Sequence, residues 1–513
     1  MKRLVLINAY PDKHFGEENI SVIVQMPLNL AYIAALTPRD EWEVDVIDET
    51  LERAVDAQGN LTFGHADLVG ITAVTYQVPR LYEIAEACRR AGVPTIAGGA
   101  HATILPEEAT AHVNSVVIGE AERVWPQVLA DFEHGRLQPT YHGGPTPLEE
   151  LRDIHPDRAW LRDKYRYKYS SIITTRGCPF KCDFCCVPFI QGRKYRQRPP
   201  EDVWNELANT DYRGLMLAED NFYGYTPDSQ ERCRKLFKGW AERDLKKNWF
   251  GFTSLNVTQD DVVLDYMAKS GCLGILMGIE SLDYDTLKKM HKSVNIGIAK
   301  KASTSFLDSY RHCFGNLHRH GLIVWSSVIF GTDFDKEDTF KQVVDAVWET
   351  GMDVCTFGIY TPMVRTELFD RLSSEQRIFR TNFPYDWYYY NSGHLVHRLK
   401  NMSLERFIEG LTYVYDNIYG KDRLRERFKQ TYAATGNLVS SMFAYRINLD
   451  WKIVFEANLM ELHKLYDSGA YPHQANHAQT AVPLSFEDFN HPQRAKLMSI
   501  YKNVHAKQPT GHA

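Results

Sequence analysis

Twice along its length the chain alternates short apolar runs with helical stretches, and that alternation leaves few folds open. In the first passage Leu4–Ile7, Val44–Ile47, Leu68–Thr72, Thr95–Gly99 and Val116–Gly119 read as strands. Helices over Leu28–Leu36 and Leu81–Arg90 fall between them. Strands alternating with helices imply a parallel, doubly wound α/β sheet, whose ligands gather at the carboxyl ends of the strands. The second passage repeats the pattern over Ser171–Thr175, Gly214–Glu219, Trp249–Thr253, Leu273–Ile279, Leu322–Phe330 and Val354–Tyr360. Helices such as Gln230–Glu242 and Thr339–Thr350 separate these strands. Six such units are too few for a closed eight-stranded barrel, so an open, partial barrel is expected.

This divides the chain into an N-terminal domain over 1–140, a linker over 141–165, a partial barrel over 166–370 and a mainly helical region over 371–513. The linker carries prolines and charges without periodicity. In the last region Phe407, Leu411, Val414 and Ile418 share one helical face, and Phe383–Tyr390 is unusually aromatic. From Tyr471 onward His, Gln and Pro accumulate, and a loosely ordered tail is expected.

Charge and hydropathy exclude some partners. The net charge of −6 gives no basic surface for a nucleic-acid backbone. No run is long and apolar enough for a transmembrane helix. The start, Met1–Asn8, resembles a signal peptide only until Asp12, Lys13 and His14 interrupt it, so a first strand and a cytoplasmic location are expected.

Four of the nine cysteines crowd into residues 178–186. Disulfides spread along a chain to close long loops, so crowding points to metal or redox chemistry. The stretch Gly177-Cys178-Pro179-Phe180-Lys181-Cys182-Asp183-Phe184-Cys185-Cys186 has the spacing C-x3-C-x2-C just after the first barrel strand. Three thiolates on one tight loop can hold three irons of a cubane and leave the fourth iron open. Zinc prefers four protein ligands, usually as two pairs, and no second C-x2-C pair exists.

This motif at this place resembles the radical S-adenosylmethionine (SAM) superfamily, over roughly residues 165–365. The resemblance implies a [4Fe–4S] cluster on Cys178, Cys182 and Cys185, with SAM chelating the open iron and cleaved to a 5′-deoxyadenosyl radical. It also implies SAM contacts from Phe184, from Glu219 in Leu217–Phe222, from Gly278 and Glu280 in Met277–Ser281, and from Ser327. Cys186 neighbours a ligand and is not one in the family spacing.

The first domain is similar to the cobalamin-binding domain of B12-dependent radical SAM enzymes, through Pro27–Ala34, Gly70–Thr75, Gly98–Thr103, Pro106–Glu108 and Gly119–Glu122. The resemblance implies a Rossmann-like cobalamin domain with Leu28, Thr72, Thr75, Gly98, Gly99, His101, Gly119 and Glu120 at the cofactor. The D-x-H-x-x-G motif of other cobalamin domains is not matched: Asp12-Lys13-His14-Phe15-Gly16 is one residue short, so cobalt receives no histidine from this loop.

The whole resembles a cobalamin-dependent radical SAM methyltransferase acting on an unactivated carbon of a small molecule, natural-product precursor or lipid. Tyr360 is a candidate for the catalytic cleft, which the aromatic stretch could also line. Relatives use the same cofactors for ring closure, oxidation or rearrangement, and a barrel whose first domain binds no cobalamin is a further alternative. An electron donor such as flavodoxin or ferredoxin is implied. Arg193, Lys194, Arg196 and Arg198 read as a solvated basic loop.

Overall fold

The computed structural model describes residues 1–11, 25–152, 154–158, 167–302 and 304–472. The Asp12–Gly16 motif and all but the first residues of the C-terminal tail lie outside the described residues.

The first sheet contains β1 (Lys2–Asn8), β2 (Trp42–Asp48), β3 (Leu68–Thr72), β4 (Thr95–Gly98), β5 (Ser115–Gly119) and β6 (Thr140–Gly144). Its order is β2-β1-β3-β4-β5-β6, and every pairing is parallel. Neighbours of β1 lie on both sides of it, so the chain reverses direction across the sheet between β1 and β3. That reversal opens a crevice at the carboxyl ends of these two strands. Helices cover both faces, and the interiors of β3 and β4 are buried throughout because apolar side chains meet a core above and below.

The stretch expected to be a linker supplies β6. Its sequence, Thr-Tyr-His-Gly-Gly, has no apolar alternation, and only Tyr141 enters the core. It becomes a strand because β5 otherwise presents an unpaired edge.

The second sheet follows chain order: β7 (Ser170–Ile172), β10 (Gly214–Leu217), β11 (Asn248–Phe252), β12 (Cys272–Glu280), β13 (Ile323–Phe330) and β14 (Val354–Ile359), all parallel. The end strands β7 and β14 do not pair, so the barrel is open. Two further strands, β8 (Thr175–Arg176) and β9 (Arg196–Gln197), form an antiparallel ribbon at its mouth.

Alternate side chains along the barrel strands enter different cores. Leu215, Leu217, Ile275, Met277, Val324 and Val328 point to the covering helices. Met216, Phe250, Trp325 and Val354 point inward, where Phe443 and Ile447 of the long helix Leu438–Asp467 fill the lower lumen. Farther up the same inner face Ala218, Phe252, Leu276, Gly278, Ser327, Ile329 and Gly358 are only half-buried. The lumen is therefore plugged below and open at the strand carboxyl ends. Helix Leu404–Tyr419 buries Phe407, Leu411, Val414 and Ile418 as its periodicity predicts, and Phe407 meets Phe340 edge-on.

Candidate active site at the junction of the two sheets

The cysteine loop leaves the barrel through β8 and returns through β9, so it is closed at its base by Thr175↔Gln197 and Arg176↔Arg196 pairing. Gly177 turns the chain at φ +86°, where a Cβ would stand 2.3 Å from the Lys194 carbonyl oxygen. Only glycine fits so close a crossing of two backbones. Gly177 N–H donates to Gln191 Oε1 at 2.9 Å, and Cys178 N–H to the Gly192 carbonyl at 3.2 Å. Cys178, Cys182, Cys185 and Cys186 are half-exposed, whereas the other five cysteines are buried. Burial raises the thiol pKa of Cys182, Cys185 and Cys186, so these thiols release protons when a metal binds.

Among the described residues no three His, Cys, Asp or Glu side chains converge on one metal ion. Thiolates around a single zinc stand about 3.8 Å apart. In a cubane each thiolate binds its own iron and stands wider, so three separated thiols on one loop fit a cluster better than a lone ion.

Around the loop, the barrel mouth brings several expected residues together. Asp183 is buried and holds the loop down: its N–H donates to the Met290 carbonyl, its carbonyl accepts from Leu368 N–H at 2.9 Å, and its carboxylate accepts from the Tyr360 hydroxyl. Phe184 meets Tyr360 edge-on at 6.2 Å. Tyr360 is thus buried beneath the loop as an anchor. Glu280, at φ +64°, is paired with Lys292 at 2.7 Å beside Gly278. Burial works against the Lys292 charge, but Glu280 and the neighbouring Cys182 and Cys185 raise its pKa. Ser327 faces the open lumen, whereas Ser326 points to the outer core with an unpartnered hydroxyl.

Glu219 does not join this group at the mouth. It is buried, accepts from the Thr174 hydroxyl at 2.6 Å, and burial pushes its carboxyl up to about 7. The accessible carboxylate at this strand end belongs to Asp220, pushed up to about 6 by the protein around it. The acidic motif signalled the place; which of its residues faces out depends on how the strand ends.

At the carboxyl ends of the first sheet the expected cobalamin residues lie along one edge. Leu28 begins a helix, and its neighbour Asn29 donates to Thr72 Oγ1 at 2.8 Å. Gly99 turns at φ +92°, and a Cβ there would meet Thr72 Oγ1 at 2.5 Å. Gly98 faces open space, so a flat group can lie against the strand end. Gly119 N–H donates to Thr103 Oγ1, tying β5 to helix Ala100–Ile104. Thr75 is buried where the chain leaves β3. Glycine turns at the carboxyl ends of β4 and β5 let a flat ligand approach the backbone closely.

His101 and Glu120 take other roles. His101 is 1% exposed, and its Nε2 is 3.2 Å from Glu108 Oε1. Glu108 also accepts from the Tyr82 hydroxyl at 2.7 Å and Trp387 Nε1–H at 3.0 Å. Trp387 comes from the aromatic stretch, where Phe383 stacks on it at 3.7 Å. The stretch is therefore packed mostly as core against the first domain, with Tyr388 and Tyr389 partly accessible. Glu120 pairs with Arg176 and Arg196 instead of facing an open edge.

Arg196 and Arg198 correct the reading of a solvated basic loop. Both are buried: Arg196 donates to Glu120 and the Thr146 carbonyl, and Arg198 to Asp202 and Glu206. Only Arg193 and Lys194 are exposed. Alternation in the β9 ribbon and the following turn, invisible in composition, sends these neighbours to opposite sides.

The two faces abut. Helix Ala100–Ile104 packs against helix Val187–Ile190, which follows the cysteines, and Cys186 and Ile190 pack on the core of the first domain. Arg365, beyond β14, donates to the Ile104 carbonyl at 2.6 Å. No helix among the described residues is long and apolar enough to cross a membrane.

Comparison with known proteins gives two family matches in this order: the B12 binding domain over residues 24–129 and the radical SAM superfamily over residues 172–347. The chain is 27% identical to the bacteriochlorophyllide d C-12(1)-methyltransferase of Chlorobaculum tepidum, over 79% of this chain and 85% of that protein. It is 26% identical to the bacteriochlorophyllide d C-8(2)-methyltransferase of the same organism, over 85% of this chain and 93% of that one. Its fold is similar to that of OxsB, a cobalamin-dependent SAM radical enzyme solved with aqua-cobalamin and SAM, at TM-score 0.61, 13% identity and 98% and 84% coverage of the two chains. With both domains matched on one chain, and their strand ends meeting at the cysteine loop, the chain belongs to the B12-binding-domain-containing radical SAM enzymes, which use a [4Fe–4S] cluster, SAM and cobalamin.

Proposed function

We propose that this enzyme transfers a methyl group to an unactivated carbon of a small-molecule, natural-product or lipid precursor, with Cys178, Cys182 and Cys185 holding the cluster. The observation that carries the reading is the placement of the cysteine loop against the glycine edge of the first sheet, through helix Ala100–Ile104. Methyl transfer of this kind needs both cofactors within reach of one carbon, and the methyltransferase relatives cover most of the chain.

When bound, the cofactors supply a carbon-centred radical and a transferable methyl group. The protein's part is placement. Asp183, anchored by Tyr360, fixes the cysteine loop. Ser327, Gly278, the Glu280–Lys292 pair and Phe184 surround the space above it and would position SAM's charged and aromatic parts. Thr72, Gly98, Gly99 and Gly119 form the edge against which the corrin would lie. The Phe443 and Ile447 plug keeps water from reaching the site through the lower lumen.

The test is iron and cobalamin content after anaerobic reconstitution, followed by product analysis with SAM carrying a labelled methyl group. Four irons and one cobalamin per chain with label in the product support the reading. Deoxyadenosine formation with an unlabelled, ring-closed or oxidised product would replace methyl transfer by the other chemistry of these cofactors. Iron without cobalamin would sink it.

A further inference from the structure

The hydroxyl of Tyr225 stands 3.9 Å from Cys178 Sγ, within hydrogen-bonding reach of a sulfur. Among the described residues Cys178 is the one expected cluster ligand whose sulfur meets a side-chain hydroxyl. The placement is built just beyond β10. Asn221 is 2% exposed, and its Oδ1 accepts from Tyr223 N–H and Gly224 N–H at 3.0 Å and from the Thr253 hydroxyl at 2.9 Å. Three donors on one oxygen fix which way the amide points. Its Nδ2 therefore donates to Ser254 Oγ at 2.8 Å and to the Tyr225 hydroxyl oxygen. Gly224 turns the chain at φ +79°, where a Cβ would meet Ser229 Oγ at 2.3 Å. The Tyr225 ring then lies against the cysteine loop, edge-on to Phe180 at 4.2 Å and to Tyr195 at 5.8 Å. The Tyr195 hydroxyl donates to the Asn221 carbonyl at 2.8 Å, which ties the returning arm of the loop to the same asparagine.

We infer that the Tyr225 hydroxyl donates a hydrogen bond to the Cys178 thiolate and thereby raises the reduction potential of the cluster. The inference rests on the cluster reading given above. The Tyr225 oxygen already accepts from the Asn221 amide, which leaves its own proton to be placed. A phenol keeps that proton at neutral pH, since its ordinary pKa is about 10. Two acceptors lie within reach: Ser254 Oγ at 3.5 Å and Cys178 Sγ at 3.9 Å. The larger radius of sulfur makes the two approaches comparable, so charge decides between them. A cysteine bound to iron is a thiolate, and a hydrogen bond to an ionised acceptor is roughly twice as strong as one to a neutral acceptor such as serine. The run from amide to phenol to thiolate also polarises along its length, each bond strengthening the next. Reduction of the cluster adds a negative charge that its sulfurs share. A donor aimed at one of those sulfurs therefore favours the reduced form, as hydrogen bonds to cluster sulfurs generally do. Tyr225 acts through a ligand and touches neither the open lumen nor the first sheet in doing so.

The experiment is a redox titration of the full-length, iron-reconstituted enzyme without SAM, in which electron paramagnetic resonance follows the reduced cluster. Wild type is compared with two variants. Tyr225→Phe keeps the ring contacts with Phe180 and Tyr195 and loses the donor. Tyr195→Phe removes a hydroxyl of the same aromatic group that bonds a backbone carbonyl instead of a sulfur. The expected result is equal iron content in all three proteins and a lower midpoint potential in Tyr225→Phe alone. The one-electron equilibrium should move at least threefold toward the oxidised cluster, about 28 mV on the scale of 59 mV per tenfold. An unmoved midpoint at full iron content overturns the inference. So does an equal fall in Tyr195→Phe, which would assign the effect to packing of the rings. Should Tyr225→Phe lose iron, 3-fluorotyrosine at position 225, a stronger donor of nearly the same shape, takes its place. Its midpoint must rise above that of wild type, and a midpoint at or below wild type overturns the inference. Failure of the cluster reading itself would appear separately, as wild-type protein that binds no iron at all.

Discussion

Glu120 and Arg176 form a buried ion pair, 3.0 Å between Oε2 and Nη1, that joins the end of β5 in the first sheet to the residue two before Cys178. Arg196 closes the other side of the same carboxylate at 2.5 Å, and Arg176 also reaches Glu122 at 2.7 Å. Burial alone would raise the Glu120 carboxyl, but Arg196 and Arg176 hold it below its ordinary value of 4.5. Glu120→Gln keeps the shape and removes the charge, leaving two buried guanidinium groups short of a partner. Breaking a buried pair from one side costs about 3 kcal/mol. We expect that loss in denaturant titrations at pH 7. A carboxylate with a lowered folded pKa stabilises above its unfolded pKa and loses the effect as pH falls through the folded value. The gap between wild type and variant should therefore narrow below pH 4.5. A constant gap would show that the charge is not what the site uses.

His101, expected at the cofactor, is buried, with Nε2 on Glu108 and an edge-on contact to Trp387 at 5.7 Å. A ring so enclosed is not free to ligate cobalt. In enzyme loaded with cob(II)alamin, His101→Gln should leave the electron paramagnetic resonance spectrum unchanged, including the absence of any nitrogen splitting from this side chain. Its cost should appear in stability. Trp387→Phe should also destabilise, by about 1–3 kcal/mol, because it strands a buried oxygen of Glu108. A changed cobalt spectrum in His101→Gln would make the histidine a ligand after all.

Cys186 lies next to Cys185 and is equally half-exposed, yet it packs against the first domain's core beside Ile190. Cys186→Ser should keep the iron content and deoxyadenosine formation of wild type. Cys182→Ala should lose both. If Cys186→Ser loses iron while Cys185→Ser keeps it, the third ligand has been assigned to the wrong neighbour.

Much of this arrangement was legible in the sequence, for definite reasons. Alternating βα units announce themselves by continuous apolar runs, so eleven of the strands fall on or within a few residues of Leu4–Ile7, Leu68–Thr72, Leu322–Phe330 and their like. β6 escaped because only Tyr141 is apolar, and an open sheet edge, a tertiary fact, makes it a strand. The direction of individual side chains escaped for a similar reason. Glu219 and Asp220 are adjacent acids, and only the folded strand end shows that one turns to Thr174 and the other to solvent. The fate of Arg196 and Arg198 depended on carboxylates at Glu120, Asp202 and Glu206, two of them a few residues along the next helix and one in another domain. Composition can reveal that such charges exist, but their pairing is fixed only when the sheets close.

Glu219 gives the sharpest pH prediction. Burial raises its carboxyl from an ordinary 4.5 to about 7, against the Thr174 hydrogen bond, which favours the charged form. The folded protein therefore holds this proton more tightly than the unfolded chain. The sign follows: stability from this group is full below pH 4.5, declines as pH rises, and is lost once pH passes about 7. Glu219→Gln has the same shape, can still accept from Thr174, and never ionises. It should match wild type near pH 5 and exceed it at pH 8.5 by about 3 kcal/mol, the worth of a shift of this size in a fully buried site. The measurement is denaturant unfolding of both proteins across pH 5–8.5, with iron and cobalamin content held equal. Equal stability of the two proteins at pH 8.5 would mean that the carboxylate is already ionised and compensated in the fold, with Arg232, whose Nη1 reaches Thr174 Oγ1 at 3.3 Å, as the group positioned to do it.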